Sequence, residues 1–277
     1  MTDATRFSRL LPRPRRITPT EGVCRPIESL SVELHVEDAR LNRAFDAWKS
    51  RLPLSIHPGS PATKLKVAVE RGHLHQQGYR LTIRENEIEI LGGSAAGAFY
   101  GLQTLIQLTD LCGDEVPYCV IEDHPDFAVR GLLHDVTRGK VPKLETLKLL
   151  ADRLAALKCN QLQLYIEHAF TFAFDPEICG PDDGLTPDEI RELDVYCKDR
   201  FIDLVPAVAT LGHMGKVLSM PRYRHLAEIE PTQTWEELLW PQRARGFTLD
   251  IANPDSHHLV ERIWGEIEKL LTLAEHP

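Results

Sequence analysis

The sequence predicts an α/β protein, with a small α+β domain followed by an incomplete (β/α)8 TIM barrel. Three observations carry this expectation. A hairpin pattern and a long amphipathic helix fill much of residues 27–122. From residue 123 onward, apolar strands alternate with amphipathic helices, the order that builds a parallel sheet. Those later strands end in charged residues, and barrel enzymes keep their chemistry at strand C-terminal ends. Residues 1–26 read as an N-terminal extension, 27–122 as the small domain, and 123–277 as the first three to four strand–helix units.

Composition sets the outer bounds. The 277 residues are 43% hydrophobic and 26% charged, ordinary values for a globular chain. No apolar run nears the ~20 residues of a membrane span. The N-terminus holds arginines but no apolar core of a signal peptide, so a cytoplasmic home is expected. Cys24, Cys112, Cys119, Cys159, Cys179 and Cys197 form no CxxC pair and read as reduced thiols. A net charge of −9 argues against nucleic acid, which needs a concentrated positive field. Five arginines among the first 16 residues are the local exception. They read as a solvated segment over the first domain rather than an RNA-binding arm.

In the first domain, "SLSVELHVED" and "KLKVAVERG" alternate apolar and polar residues, as half-buried strands do. In "YRLTIRENEIEILGG", Leu81 and Ile83 mirror Ile88 and Ile90 across a polar turn, a hairpin. Ser94 then caps a helix whose Ala98, Phe99, Leu102, Leu105 and Ile106 share a face. His73 and His75 read as surface residues. "EDHPDFAVRG" is the joint, because Asp123, Pro125 and Asp126 suit neither strand nor helix.

The second part repeats one theme. "VRGLLHDV" is a strand, followed by a helix with Leu144, Leu147, Leu150, Leu154 and Leu157 at helical spacing. "NQLQLYIE" is the next strand. Thr186-Pro187-Asp188-Glu189 is a helix start with cap, N1 proline and N3 glutamate. Ile190, Leu193 and Cys197 follow on that helix's inner face, and "FIDLVPAVATLGH" is a third strand. Asn253-Pro254 opens a last helix with Leu259, Val260, Ile263, Trp264, Ile267 and Leu271 facing inward. No glycine-rich nucleotide loop follows the first strand, which favours a barrel over a doubly wound sheet. Residues 127–277 number 151, against about 250 for a complete barrel. The chain therefore reads as a fragment.

Three strand ends carry His134-Asp135, Glu167-His168 and Gly212-His213, with Arg130 four residues ahead of His134. In a barrel these would crowd one rim. A polyhydroxylated substrate such as a sugar suits arginine and carboxylates, which grip hydroxyls through charge-assisted hydrogen bonds. A metal site using His134, His168 and His213 suits the same residues. Spacing leaves both open, beside a bland reading in which some of these side chains only stitch loops together.

The stretch "HPDFAVRGLLHDVTRGKVPKLETLKLLADRLAALKCNQLQLYIEHAF" resembles the start of the catalytic barrel in glycoside hydrolase family 20, the β-N-acetylhexosaminidases. It carries that family's pattern of Arg-Gly, then Asp-Val-x-Arg, then a strand ending in acids. "VPAVATLGHMGKVLSMPRYRHLAE" resembles the third-strand segment, "GYRLTIRENEIEILGGSAAGAFYGLQTLIQL" the small domain before the barrel, and "LLPRPRRI" its entry. The resemblance implies substrate-assisted hydrolysis without a cofactor, an exception to the two-carboxylate scheme. The sugar's acetamido oxygen attacks the anomeric carbon, a glutamic acid protonates the leaving oxygen, and a preceding aspartate orients the acetamido group. It further implies that Arg130, Glu167, His168 and His213 bind the terminal N-acetylhexosamine, with Asp135 and His134 supporting.

Two departures limit the transfer. Many relatives have an acid pair where this chain has Glu167-His168, and a histidine does not accept as a carboxylate does. The Asp-Glu catalytic pair belongs to a fourth strand, expected after Pro277. Asp188-Glu189 and Glu122-Asp123 lie at a helix start and in the joint and do not replace it. The aromatic walls would also come later, and Trp235 and Trp240 read as local packing. The expectation is thus a β-N-acetylhexosaminidase whose first 277 residues are inactive alone and self-associate through open strand edges. A metal-dependent barrel enzyme or a noncatalytic carbohydrate-binding protein are the alternatives.

Overall fold

The structure, a computed structural model, describes residues 3–25, 30–50, 63–113, 115–180, 184–245 and 247–271. Ser29, at the start of the first predicted strand, lies outside the described residues, as does the side chain of Trp240.

A short helix α1 (Asp3–Phe7) leads into β1 (Arg16–Cys24), followed by β2 (Leu30–His35), α2 (Ala39–Lys49), β3 (Thr63–Val69), β4 (Tyr79–Arg84), β5 (Glu87–Gly92), α3 (Ala95–Cys112) and β6 (Val116–Asp123). The strands form one six-stranded mixed sheet in the order β1-β6-β4-β5-β3-β2. The predicted hairpin is present in register, Leu81 opposite Ile90 and Ile83 opposite Ile88. Ser94 caps α3 by accepting from the Gly97 amide. Glycine at 97 lets the helix lie almost on the sheet, since a Cβ there would collide with the Gly78 carbonyl. Leu41, Phe45 and Trp48, one face of α2 that the sequence reading passed over, complete this core.

The N-terminal segment is not a mere extension. β1 pairs antiparallel with β6, Arg16 opposite Glu122, and Phe7 and Leu10 are buried. Its mostly exposed residues hid it, because an edge strand can present alternate positions to water without an apolar signature.

The second sheet has three parallel strands in the order β7-β8-β9: β7 (Gly131–Asp135), β8 (Gln161–Ile166) and β9 (Asp203–Val208). α4 (Leu144–Ala156) connects the first two and α5 (Pro187–Lys198) the next two. Leu162, Leu164, Leu204, Leu147, Ala151, Ile190 and Leu193 form the core between sheet and helices. The capping box at Thr186 and Glu189 is present, both halves bonded. After β9 come α6 (Gly215–Ser219), α7 (Trp240–Arg245) and α8 (Pro254–Ile267). Two helix positions differ from expectation. Leu157 is the C-cap of α4 and 44% exposed, and Trp264 is 38% exposed. All six cysteines are free thiols. Among the described residues, no helix is long and apolar enough to cross a membrane.

The joint between the sheets is built at the bottom of the parallel strands. α4 ends in a Schellman turn, Cys159 N donating to Leu154 O and Lys158 N to Ala155 O. The left-handed position of that turn usually takes glycine, yet here it is Lys158, at φ +59°. The next helix repeats the device with Phe201 at φ +57°. Both side chains reach the first unit. Lys158 Nζ donates to Tyr79 OH (2.9 Å) and Asp123 Oδ2 (3.1 Å), and the Phe201 ring meets Phe99 at 5.0 Å. Backbone strain at two turns is traded for side chains that fix the sheets together.

Candidate functional site

At the other end of the parallel strands, register decides which side chains meet. Asp135, Tyr165 and Ala207 are cross-strand partners, as are His134, Leu164 and Pro206 one residue earlier. Because neighbouring strand residues point to opposite faces, the first row faces away from the helices and the second faces them. Past β7 the chain turns sharply, with Asp135 Oδ1 accepting from the amides of Thr137 (2.9 Å) and Arg138 (3.1 Å). Such aspartate-closed turns are a local property of the residue. This one swings Arg138 over the strand ends.

Arg138 is the hub. Nη1 donates to Asp135 Oδ2 at 2.8 Å, and Nη2 to Glu167 Oε1 at 2.7 Å. Its guanidinium sits 5.0 Å from the centre of the Tyr165 ring, whose hydroxyl donates to the same Glu167 oxygen at 3.0 Å. Glu167 is held from its backbone as well, its amide donating to Thr137 Oγ1 at 3.0 Å. His213, at φ +59°, brings Nδ1 to 3.5 Å from Glu167 Oε1. A non-glycine residue in that conformation costs energy and recurs at functional sites.

The charges reinforce one another. Burial pushes the Asp135 carboxyl up, but the two amide bonds and the Arg138 charge outweigh it and hold the group below its ordinary value. Burial, then the Glu167 charge, push the Tyr165 phenol up to about 12. Burial lowers the Arg138 pKa, and Glu167 and Asp135 more than restore it, so the guanidinium stays charged. With Glu167 only 8% exposed, this is a desolvated carboxylate matched by one cation and one phenol.

Beyond Glu167 opens a pocket of about 350 Å³ lined by Thr137, Arg138, Gly139, Glu167, His168, Trp235 and Arg243. The His168 and Trp235 rings meet edge to face at 5.6 Å. Burial, assisted by the charge of Lys216, pushes the His168 imidazole down to about 4. It is therefore neutral at pH 7 and keeps one nitrogen as an acceptor, so it differs less from a carboxylate than its place in the sequence suggested.

The rim thus collects Asp135, Glu167, His168 and His213 and leaves out two expected members. Arg130 precedes β7, roughly 16 Å along the strand from Asp135 at about 3.3 Å per residue. Its side chain is already engaged. Nε and Nη2 donate to Lys158 O, and Nη1 to Gln77 Oε1, Phe127 O and Ala128 O. Arg130 belongs to the joint. His134 faces the helix side, beside Leu164, by the alternation of β7. Among the described residues, no three His, Cys, Asp or Glu side chains are grouped to hold a metal ion. Trp235 is not merely local packing, since it walls the pocket. Arg138 and Tyr165 were missed. The signal for Arg138 was present, an arginine three residues past a strand-terminal aspartate.

Comparison with known proteins agrees with this architecture. Residues 8–124 match the family model described as glycosyl hydrolase family 20, domain 2. The chain is similar to a β-hexosaminidase of Porphyromonas gingivalis, 29% identical over 191 residues, covering 58% of this chain and 24% of that protein. It is also similar to a β-hexosaminidase of Akkermansia muciniphila, 32% identical over 161 residues, covering 50% and 32%. Among solved structures, the Streptomyces plicatus N-acetyl-β-hexosaminidase in complex with Thio-NAglucal superposes with a TM-score of 0.77 at 23% identity, covering 98% of this chain and 58% of that one. A glycoside hydrolase family 20 β-N-acetylglucosaminidase gives 0.74 at 25% identity, covering 95% and 57%. The fold is that of the α/β proteins in this comparison. The chain is thus similar to proteins of glycoside hydrolase family 20, with residues 8–124 matching that family's domain 2. The matches span about a quarter to a third of these curated relatives' length.

Proposed function

We propose that this chain binds the terminal N-acetylhexosamine of a glycoside at the Asp135–Arg138–Glu167–His213 rim, as the sugar-gripping part of a β-N-acetylhexosaminidase. The observation that carries the reading is the Arg138–Glu167 pair, a guanidinium and a desolvated carboxylate with further donor and acceptor capacity facing one pocket. Such pairs suit vicinal hydroxyls, which donate to the carboxylate while accepting from the guanidinium. Trp235 offers an aromatic wall for the apolar face of a sugar ring. The strands β7, β8 and β9 are read as the first three of a (β/α)8 barrel, with the rim at its C-terminal mouth.

Hydrolysis is proposed to be substrate-assisted. The acetamido oxygen attacks the anomeric carbon while a glutamic acid protonates the departing oxygen. Neither rim carboxylate suits those tasks. Asp135 is held ionised by its turn and by Arg138, and Glu167 is tied to Arg138 and Tyr165. The 277 residues by themselves are therefore expected to bind sugar and not to turn it over. The test joins saturation-transfer NMR with N-acetylglucosamine to a turnover assay with an aryl N-acetylglucosaminide. Expected are saturation of the acetyl and ring protons, abolished by Arg138→Gln, and no aryl release. Clear turnover by the purified chain, or sugar contacts that survive Arg138→Gln, refutes the reading. A carbohydrate-binding protein without hydrolase chemistry would share the binding. An in-frame strand ending Asp-Glu beyond codon 277 separates the two.

A further inference from the structure

Two arginines of the N-terminal segment border a second cavity, at the opposite end of β7 from the rim. It has a volume of about 230 Å³, and Arg13, Arg15, Asp123, Asp126, Arg130 and Lys158 supply its charge. Small-molecule sites favour such junctions between structural units. Four cations face two carboxylates there, an excess of two in a chain of net charge −9. Both carboxylates are already matched. Asp126 accepts from Arg15 Nη2, and Asp123 accepts from Lys158 Nζ at 3.1 Å and from the Arg15 amide at 3.2 Å. Arg130 is held by uncharged acceptors, which leave its charge uncompensated. Arg13 is exposed, and its side chain has no hydrogen bond or ion pair among the described residues. Two histidines feel the resulting field. The His75 and His124 rings stack at 5.3 Å with 21° between their planes, and His124 borders the cavity. Burial, then the charges of His124, Arg130 and Arg15, hold the His75 imidazole below its ordinary value. Like charge disfavours a protonated ring, so the positive potential reaches from the cavity to the stack.

We propose that this cavity binds a phosphate dianion, free or as the monoester of a small metabolite. A double negative charge equals the excess of two, and a cluster of one sign in a cleft with low-dielectric walls concentrates such an ion. Arg13 offers it a free guanidinium, whose planar fork matches two phosphate oxygens at once. Arg130 and Lys158 act through their charge, while their donors stay on the joint. The bound ion thereby ties the N-terminal segment to the seam between the two sheets. Because the cavity lies at the far end of β7 from Arg138 and Glu167, the proposal is independent of the sugar reading.

NMR titration of the purified 277-residue chain, at constant ionic strength, compares inorganic phosphate and glycerol 1-phosphate with chloride. Phosphate or its ester is expected to move the ring resonances of His75 and His124 to saturation, and chloride is not. The phosphate that saturates at the lower concentration tells the free ion from the ester. At saturation the titration midpoint of His75 should rise by about half a pH unit, because the bound anion offsets its positive neighbours. Arg13→Gln is expected to weaken binding about tenfold, the loss of one charge-assisted contact, and Arg13→Lys to retain part of the affinity. Both variants should melt with the parent chain, since the Arg13 side chain holds no other described residue. No saturable change, the same change with chloride, or an affinity that survives Arg13→Gln overturns the proposal and leaves the sugar reading untouched.

Discussion

Replacing Arg138 with methionine removes the cation and keeps most of the aliphatic bulk. The cost follows from how unequally the pair is exposed, with the Glu167 side chain 7% exposed and Arg138 38%. A fully buried ion pair that loses one partner costs about 3–5 kcal/mol, because the remaining charge is stranded. A surface pair is worth about 0–1 kcal/mol. Glu167 is stranded on the buried side, keeping only the Tyr165 hydroxyl at 3.0 Å and His213 at 3.5 Å. Asp135 loses a half-exposed partner but keeps its two amide bonds. The expected destabilisation is therefore about 2 kcal/mol, or roughly 4–8 °C in Tm for a unit of this size. Glu167→Gln in the Arg138→Met background should return about 1 kcal/mol, because a neutral amide still accepts from Tyr165 and no longer needs a cation. Thermal unfolding of the four proteins of this cycle reads both numbers. A loss below about 0.5 kcal/mol for Arg138→Met, or a double variant weaker than that single one, would show that Glu167 is solvated and the rim is not one electrostatic unit.

Other expectations concern separate parts of the molecule. Lys158→Ala strands Asp123 and removes a donor to Tyr79, so it should cost about 3 kcal/mol, recovered in part by adding Asp123→Asn; a change below 1 kcal/mol by urea unfolding would contradict the joint described above. Arg130→Gln should lower Tm while leaving sugar contacts in saturation-transfer NMR intact, and loss of contacts at unchanged Tm would restore Arg130 to the binding site. The folded His168 pKa of about 4 lies below the unfolded value near 6.5. Its contribution to stability is thus complete above about pH 6.5 and is lost as pH falls towards 4, by up to about 3 kcal/mol. His168→Gln should flatten that part of the Tm-versus-pH curve, and an unchanged curve would mean a solvated imidazole. Among the described residues β7 and β9 carry unpaired edges, and Leu133 on β7 is 55% exposed. Light scattering should therefore show mass rising with concentration, reduced by Leu133→Lys; a constant monomer mass would count against open edges.

Patterns set by local chemistry were legible in the sequence. The β4–β5 register, the Ser94 and Thr186 caps and the buried stripe of α5 depend on residues a few positions apart, and a reader of the chain meets them together. β1 was not legible, because an exposed edge strand leaves no alternation to see. The rim arginine left a signal, three residues past the strand-terminal Asp135, but an ambiguous one, since Arg130 and Arg138 both stand beside the same short strand. What separates them is direction along a parallel strand. Arg130 enters β7 at the end where the sheets join, among carbonyls of residues 127, 128 and 158 that occupy its donors. Arg138 leaves at the other end, where the Asp135 turn folds it back over β8.

That division has a physical consequence for the whole chain. In β7 the two ends hold an arginine each, one fixed by neutral carbonyls and one by carboxylates. The carbonyl-held arginine gives rigidity that solvent and pH hardly touch, as a joint requires. The carboxylate-held arginine suits exchange instead: under the sugar reading proposed above, hydroxyls of a ligand would enter between Arg138 and Glu167, replacing one set of charge-assisted hydrogen bonds with another. His134 shows the other side of the same geometry. One residue from Asp135, it is turned by strand alternation toward the helices, and no loop rearrangement short of a register slip would bring it to the rim.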